Sequence, residues 1–313
     1  MEFGKCSLEG MGRLMKKVII TGANGFIGSS MIKKFVDKNI EVVALDISFA
    51  NDHLPASNLI TRIETDLSSA HEILNKIPSV DDYDCFYHLA WRGVNGPEKA
   101  DSQIQTKNIE MVMNCAKAAK ELNCGKFLCA GTVAENAVFS LNNLENTSGG
   151  MMYGVAKYCA HLMLEDYCKN IGLKFVWMQF SNIYGPANKT GNLVSYTLDT
   201  LARNEEATFG PAAQMYDFIY VEDLIEAACR LGESDTKSNF YFIGSGKARI
   251  LKDYLLEIGE KLGKKDLIKI GVRPDDGIKY SSDMFDTSNL SEDIGDYVSK
   301  DFSEGIQYTI DNF

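Results

Sequence analysis

Tyr153 and Lys157 stand four residues apart in "SGGMMYGVAKYCAHLMLEDYC", Ser148–Cys168, at the head of an apolar stretch with helical periodicity. On a helix that spacing puts both side chains on one face. A phenol and an ammonium so placed can serve as the acid and the cation of an active site, or be ordinary helix residues. The pairing is common by chance, so the elements around it decide its meaning.

A second pattern with chemical content lies near the start. "TGANGFIG", Thr21–Gly28, is G-x-x-G-x-x-G set between an apolar run and a helical pattern. Glycine allows the tight turn, lets backbone approach a pyrophosphate, and lets the helix pack close to the sheet. The helix start then offers free N–H groups and partial positive charge to an anion. Three glycines alone also fit a plain strand-to-helix turn. Asp46 shifts that balance. It ends the next strand about twenty residues on, where a carboxylate would accept from an adenosine ribose. The nearest arginine downstream of it is Arg62, too far on to welcome a 2′-phosphate, which favours NAD over NADP. Gly22, Gly25, Phe26, Ile27 and Gly28 are therefore expected to hold the dinucleotide with Asp46. Asp66, followed by Leu67, sits after a third strand and either contacts adenine or caps a helix. In "HLAW" Leu89 and Ala90 would let backbone run beside the cofactor, and His88 reads as a packed strand residue.

The elements that must carry these residues alternate. Strands are expected at Lys16–Gly22, Ile40–Asp46, Tyr83–Trp91, Lys126–Thr132 and Lys174–Gly185. Helices are expected after Gly25, over Gln103–Leu122 and over Met151–Lys169. Strands alternating with helices mean a parallel sheet covered on both faces. Beyond Pro186 short strands such as "FIYV" and "FYFIG" mix with helices near Asp223–Leu231 and Leu251–Leu262. The fold expected is α/β, a Rossmann-type doubly wound parallel sheet with a smaller C-terminal α/β substrate lobe. Residues 1–15 read as an extension, 16–185 as the NAD-binding domain, and 186–313 as mainly substrate lobe with some segments returning to the main domain.

Composition narrows the function. The chain has 313 residues, 45% hydrophobic and 24% charged, with net charge −11. An acidic chain repels nucleic-acid backbone, and no apolar run is long enough to span a bilayer. No signal peptide is visible at the start. The eight cysteines, Cys6, Cys85, Cys115, Cys124, Cys129, Cys159, Cys168 and Cys229, make no C-x-x-C pair. That argues against a zinc site, so no metal is expected, and it favours small buried hydrophobes in a reducing, cytoplasmic compartment.

Taken in order, "TGANGFIG", Asp46, "HLA", "CAGT", "YGVAK", "SNIYGP" and "YDFIYVEDL" resemble the extended short-chain dehydrogenase/reductase family, in its NAD-dependent sugar epimerase/dehydratase branch. The resemblance implies NAD as cofactor and a nucleotide-diphosphate sugar as substrate. It makes Tyr153 the general acid/base, Lys157 its helper and a ligand of the nicotinamide ribose, and Thr132 the hydroxyl that aligns the sugar oxygen. A free phenol titrates near pH ~10. A neighbouring ammonium and the cofactor's own positive charge would lower that value. Asn182 in "SNIYGP", Tyr216 in "YDFIYVEDL" and Arg273 in "GVRPDD" match substrate-lining positions, the arginine for the diphosphate.

Three departures stand out. Gln179 and Tyr216 occupy places where the branch commonly has arginine. "SGGMM" lacks the usual proline, which implies a more mobile loop over the sugar. Where the resembling 4,6-dehydratases carry an acidic pair after the threonine, Val133 and Ala134 stand here, with Glu135 one residue later. Dehydration is disfavoured on that ground. A 4-epimerase is favoured, by base rate, over a 4-ketoreductase that uses the same residues. A purely dinucleotide-binding role fits poorly, because Tyr153, Lys157 and Thr132 are all kept. The resemblance also implies a C2 homodimer built as a four-helix bundle from Met151–Lys169 and Gln103–Leu122.

Overall fold

A computed structural model describes residues 15–78, 82–144, 147, 149–186, 188, 191–275 and 277–313. The expected N-terminal extension through residue 14, with Cys6, and Ser148 of "SGGMM" lie outside the described residues.

The strands are β1 (Lys17–Thr21), β2 (Glu41–Asp46), β3 (Ile60–Glu64), β4 (Cys85–His88), β5 (Lys126–Thr132), β6 (Phe175–Phe180), β7 (Asn182–Tyr184), β8 (Ala207–Thr208), β9 (Met215–Tyr216), β10 (Phe218–Tyr220), β11 (Phe240–Ile243), β12 (Arg249–Ile250) and β13 (Ile268–Lys269). The α-helices are α1 (Phe26–Asp37), α2 (Ala70–Lys76), α3 (Ser102–Glu121), α4 (Gly149–Ile171), α5 (Leu193–Ala202), α6 (Val221–Glu233), α7 (Leu251–Lys261), α8 (Ser288–Ile294) and α9 (Phe302–Asp311). Seven strands form one sheet in the order β11-β6-β5-β4-β1-β2-β3, and every pairing in it is parallel. This is the expected doubly wound, Rossmann-type sheet. Its strand order reverses between β1 and β4, the place where ligands bind in such sheets, at the carboxyl ends of the strands.

Apart from the edge strand β3, whose sequence is ITRIE, the strands read as largely apolar runs because both faces are buried. Alternate residues supply two cores. Val18, Ile20, Tyr87, Leu128 and Met178 point to the face that also receives Met31 and Phe35 of α1 and Leu224 and Ala228 of α6. Ile19, Phe86, Phe127 and Trp177 point to the face covered by Val112 and Ala116 of α3 and Ala160 and Leu164 of α4. Each Val, Ile, Leu, Phe or Met among them contributes roughly 1.5–3 kcal/mol when fully buried.

One expected strand divides in two. The run from Lys174 to Gly185 leaves the main sheet at Ser181, which donates its N–H to Ile243 O at 3.0 Å. β7 then pairs with β10 in a separate ribbon. The Ser181 hydroxyl and the Asn182 amide both donate to Asp217 O, at 2.8 and 3.0 Å, and fasten the new direction. β11, from beyond residue 186, forms the edge of the main sheet beside β6.

Candidate active site

α4 carries the pair from which the sequence argument began. Its buried positions Ala156, Lys157, Ala160, Leu164 and Cys168 recur at helical spacing and face the sheet. Gly154, between the two chemical residues, has a structural reason. A Cβ there would lie 2.4 Å from Ala134 O, so glycine lets the segment after β5 approach the helix. That segment starts at Thr132, the last residue of β5, whose hydroxyl accepts from Ala134 N at 3.2 Å. Thr132, Tyr153 and Lys157 thereby converge at the carboxyl end of β5, and the Thr132 hydroxyl hydrogen-bonds the Tyr153 phenol.

The electrostatics are less simple than the i, i+4 spacing suggests. Burial pushes the Tyr153 phenol up, the Thr132 hydrogen bond pulls it down, and the Glu135 carboxylate pushes it further up. Lys157 donates from Nζ to Ala130 O at 2.6 Å and lies 3.8 Å from the centre of the Trp91 ring. Burial pulls its ammonium down, while Cys129 and Glu135 hold it up. The phenol is thus neutral near pH 7. A positive charge brought to its face would lower it further than the Thr132 bond does.

Two residues at this site carried no sequence signal strong enough to be singled out. The Trp91 ring stands edge-on to Tyr153 at 6.2 Å, and Lys99 places its Nζ 5.0 Å from the centre of the Tyr153 ring. Both come from the loop between β4 and α3. α3 holds that loop with buried polar side chains. Trp91 Nε1 donates to Gln105 Oε1 at 2.9 Å, Arg92 N donates to Asn108 Oδ1 at 2.9 Å, and Gln105 Nε2 donates to Gly93 O at 3.0 Å. α3 in turn is fixed at its start by Asp101, which accepts from Gln103 N and Ile104 N at 2.8 and 3.0 Å.

The glycine turn lies at the strand-order reversal. Gly22 has φ of +67° and packs so close to the β4 end that a Cβ would sit 2.8 Å from Ala90 N. Leu89 N donates to Thr21 O at 3.2 Å, which fixes the two strand ends together. A Cβ at Gly28 would fall 2.1 Å from Gly22 O. Gly25 caps α1 with no side-chain hydrogen bond, so the first turn, with Phe26 and Ile27, keeps its N–H groups for an anion. Asp46 accepts from Asn24 N at 2.8 Å and Ile47 N at 2.7 Å, which holds its carboxylate at the β2 end. Leu67 is buried with φ of +60°. Asp66 beside it is exposed, accepts from Ser68 N at 3.0 Å and is held below the usual carboxylate range by that bond. A close backbone cradle, a bare helix start and a fixed carboxylate fit an adenine dinucleotide.

His88 is fully buried, shares a 2.9 Å hydrogen bond with Thr21 Oγ1, and is pushed down to about 3 by burial. It is a packed residue, as expected. Tyr216 and Asn182 meet directly, with the Tyr216 hydroxyl donating to Asn182 Oδ1 at 2.8 Å. Arg273 lies against other residues. It donates from Nε to Thr208 Oγ1 at 2.9 Å and from Nη2 to Tyr196 Oη at 2.7 Å. Gln179 is buried and reaches Glu135 and Asn136, at 3.3 and 3.4 Å. An arginine in its place would bring a charge into that interior.

Three comparisons bear on this geometry. The model of the NAD dependent epimerase/dehydratase family matches residues 18–244. A putative UDP-glucose 4-epimerase of Methanocaldococcus jannaschii is 23% identical over 94% of this chain and 97% of that protein. A dTDP-4-dehydro-6-deoxyglucose reductase of Escherichia coli is 26% identical over 80% of this chain and 83% of that protein. Among solved structures, a UDP-N-acetylglucosamine 4-epimerase from Methanobrevibacter ruminantium M1, in complex with UDP-N-acetylmuramic acid, superposes with TM-score 0.78 at 24% identity. That alignment covers 95% of this chain and 97% of that one. Among the described residues no helix is long and apolar enough to cross a membrane.

Proposed function

Since the chain belongs to the NAD-dependent epimerase/dehydratase family, an enzyme family whose cofactor is NAD, we propose that it is a nucleotide-diphosphate-sugar 4-epimerase. The observation that carries this reading is the convergence of Thr132, Tyr153 and Lys157 beside a dinucleotide cradle, with Glu135 turned inward and fully engaged. Bound NAD would take a hydride from C4 of the sugar, return it to the other face, and bring a positive ring charge to the site.

The chain's own residues do the rest. Tyr153 Oη takes the C4 hydroxyl proton and later gives it back, and the approaching positive charge lowers its pKa against the effect of burial. Thr132 Oγ1, already in contact with the phenol, aligns the sugar oxygen. Lys157 moves from Ala130 O to the ribose. Gly22, Gly25, Phe26, Ile27, Gly28, Asp46, Asp66, Leu67, Leu89 and Ala90 hold the dinucleotide. Asn182 and Tyr216 would line the nucleotide sugar, and Arg273 would reach its diphosphate by leaving Thr208 and Tyr196. A dehydratase would need a free acid or base after Thr132. Val133 is buried and apolar, and the Glu135 carboxylate accepts from Thr132 N, Trp177 Nε1 and Gln179 Nε2.

A reductase of 4-ketosugars is the second reading, favoured by the likeness to the E. coli reductase. One assay separates the two. The purified chain is incubated with NAD and a panel of UDP-, dTDP- and CDP-sugars, and in parallel with NADH and the corresponding 4-ketosugars, and products are weighed. An isomer of unchanged mass is expected. Gain of two hydrogens from a 4-ketosugar with NADH would establish the reductase instead, and loss of water would defeat the argument from Val133, Ala134 and Glu135.

We also propose a homodimer through the outer face of α4. Leu162 and Met163 are 49% and 46% exposed there, beside exposed Met152 and Cys159. An apolar stripe open to water on a long helix marks an interface. Light scattering is expected to give about twice the 34.7 kDa chain mass, and Leu162→Glu is expected to give the monomer. A wild-type monomer would end the proposal.

A further inference from the structure

Glu135 is 1% exposed, yet it is an acid with three hydrogen-bond donors and a cation around it. Its Oε1 accepts from Thr132 N at 2.6 Å. Its Oε2 accepts from Trp177 Nε1 at 3.0 Å and Gln179 Nε2 at 3.3 Å. The interior is shaped around it. Gly131, between Ala130 and Thr132, leaves the space these groups fill: a Cβ there would lie 2.2 Å from Trp177 Nε1 and 2.8 Å from Glu135 Oε1. Lys157 approaches the same spot from α4. Its Nζ rests on Ala130 O, and lies 5.9 Å from the centre of the Trp177 ring whose N–H the carboxylate holds.

Resting on the Tyr–Lys–Thr reading above, we propose that Glu135 is a positioning residue of that set: its buried carboxylate pins the Thr132 amide and, beside the Trp177 indole, supplies the counter-charge that keeps Lys157 an ammonium.

Among the described residues Glu135 alone fills that role. Burial pulls Lys157 down, and Cys129 and Glu135 oppose it. Cys129 on β5 is pushed up to about 12 by burial, so it is a neutral thiol near pH 7. Tyr153 on α4 is pushed up and neutral. His161 of α4 stacks on Trp177 at 4.8 Å and is pulled down by burial. His88 of β4 is pulled down by burial and by Lys157 itself. Trp177, Gln179 and Asn136 carry no charge. Burial wins at Glu135, which stays raised to about 7 although the Thr132 N–H and Lys157 pull it down. Above that pH each group favours the charged form of the other. An ammonium that is lost leaves a neutral amine, which cannot stabilise a phenolate.

The test reads ionisation. The full chain, saturated with NAD, is labelled at lysine 13Cε, and Lys157 is assigned by its absence in Lys157→Met. In Glu135→Gln the side chain still accepts from Thr132 N. Trp177 Nε1 loses its acceptor, so the melting temperature falls, but the charge is what the measurement follows. The Lys157 midpoint is expected to drop by about one pH unit. An unchanged midpoint in the folded variant overturns the inference. Should Glu135→Gln fail to fold, Lys157→Met gives the reciprocal reading, since the Glu135 13Cδ midpoint is expected to rise there, and one that stays put overturns it. A failed sugar panel would refute the proposed reaction without touching either midpoint.

Discussion

Replacing Tyr153 with phenylalanine is expected to stop sugar turnover and leave NAD bound. The phenol meets the Thr132 hydroxyl, and its ring keeps its places beside Trp91 and Lys99 without the oxygen. The variant therefore loses a proton carrier and little packing. General acid–base catalysis contributes about 10²–10⁴-fold, so a loss in that range is expected on the sugar that the panel identifies. Cofactor content, read from the absorbance of NAD released on denaturation, is expected to match the parent. The pH profile has a definite sign. Burial raises the phenol, so the proton-accepting form is scarce at low pH and turnover rises with pH until Lys157 loses its charge. Turnover within about threefold of the parent would remove Tyr153 from the mechanism.

What the sequence could reveal divides along chain distance. The glycine turn is local, so its geometry was readable: Gly22, Gly25 and Gly28 lie within one turn, and Asp46 lies one strand away. Apart from β3, the strands of the main sheet were readable because burial on both faces leaves largely apolar runs. The end of β6 was hidden, since the strand that draws β7 away, β10, comes more than thirty residues later. The neighbours of Tyr153 and Lys157 were hidden for the same reason. Trp91 and Lys99 lie more than fifty residues before Tyr153 and reach it only through buried amides of α3. Glu135 was visible as an oddity after Thr132. Its meaning depended on Trp177 and Gln179, brought beside it when β6 pairs with β5. The spacing of Tyr153 and Lys157 showed that they share a face. It could not show that Lys157 spends its proton on Ala130 O.

Two alanine substitutions in one turn are expected to fail in different ways, and the contrast tests the cradle itself. At Gly28 a Cβ would sit 2.1 Å from Gly22 O and 2.9 Å from both Ala23 Cα and Ala23 O. All three are backbone atoms, so no side chain can rotate away. α1 must lift from the sheet, opening the core that Met31 and Phe35 fill. Overpacking of this kind costs typically 1–3 kcal/mol, occasionally more, and a displaced helix adds the lost burial. Gly28→Ala is therefore expected to lower the unfolding midpoint and to lose NAD with it. At Gly25 the nearest atom to a Cβ is Gly22 O at 3.3 Å, and φ is −77°, which alanine adopts freely. That variant is expected to fold with nearly the parent's stability, yet to bind NAD at least about tenfold more weakly, a difference of about 1.4 kcal/mol. The added methyl would stand where backbone must approach the pyrophosphate. Urea unfolding and NAD titration calorimetry on the two variants read stability and affinity separately. Parent-like affinity in Gly25→Ala would mean that the phosphate does not rest on this turn, and the assignment of Gly22, Gly25 and Gly28 to the cofactor would fall with it.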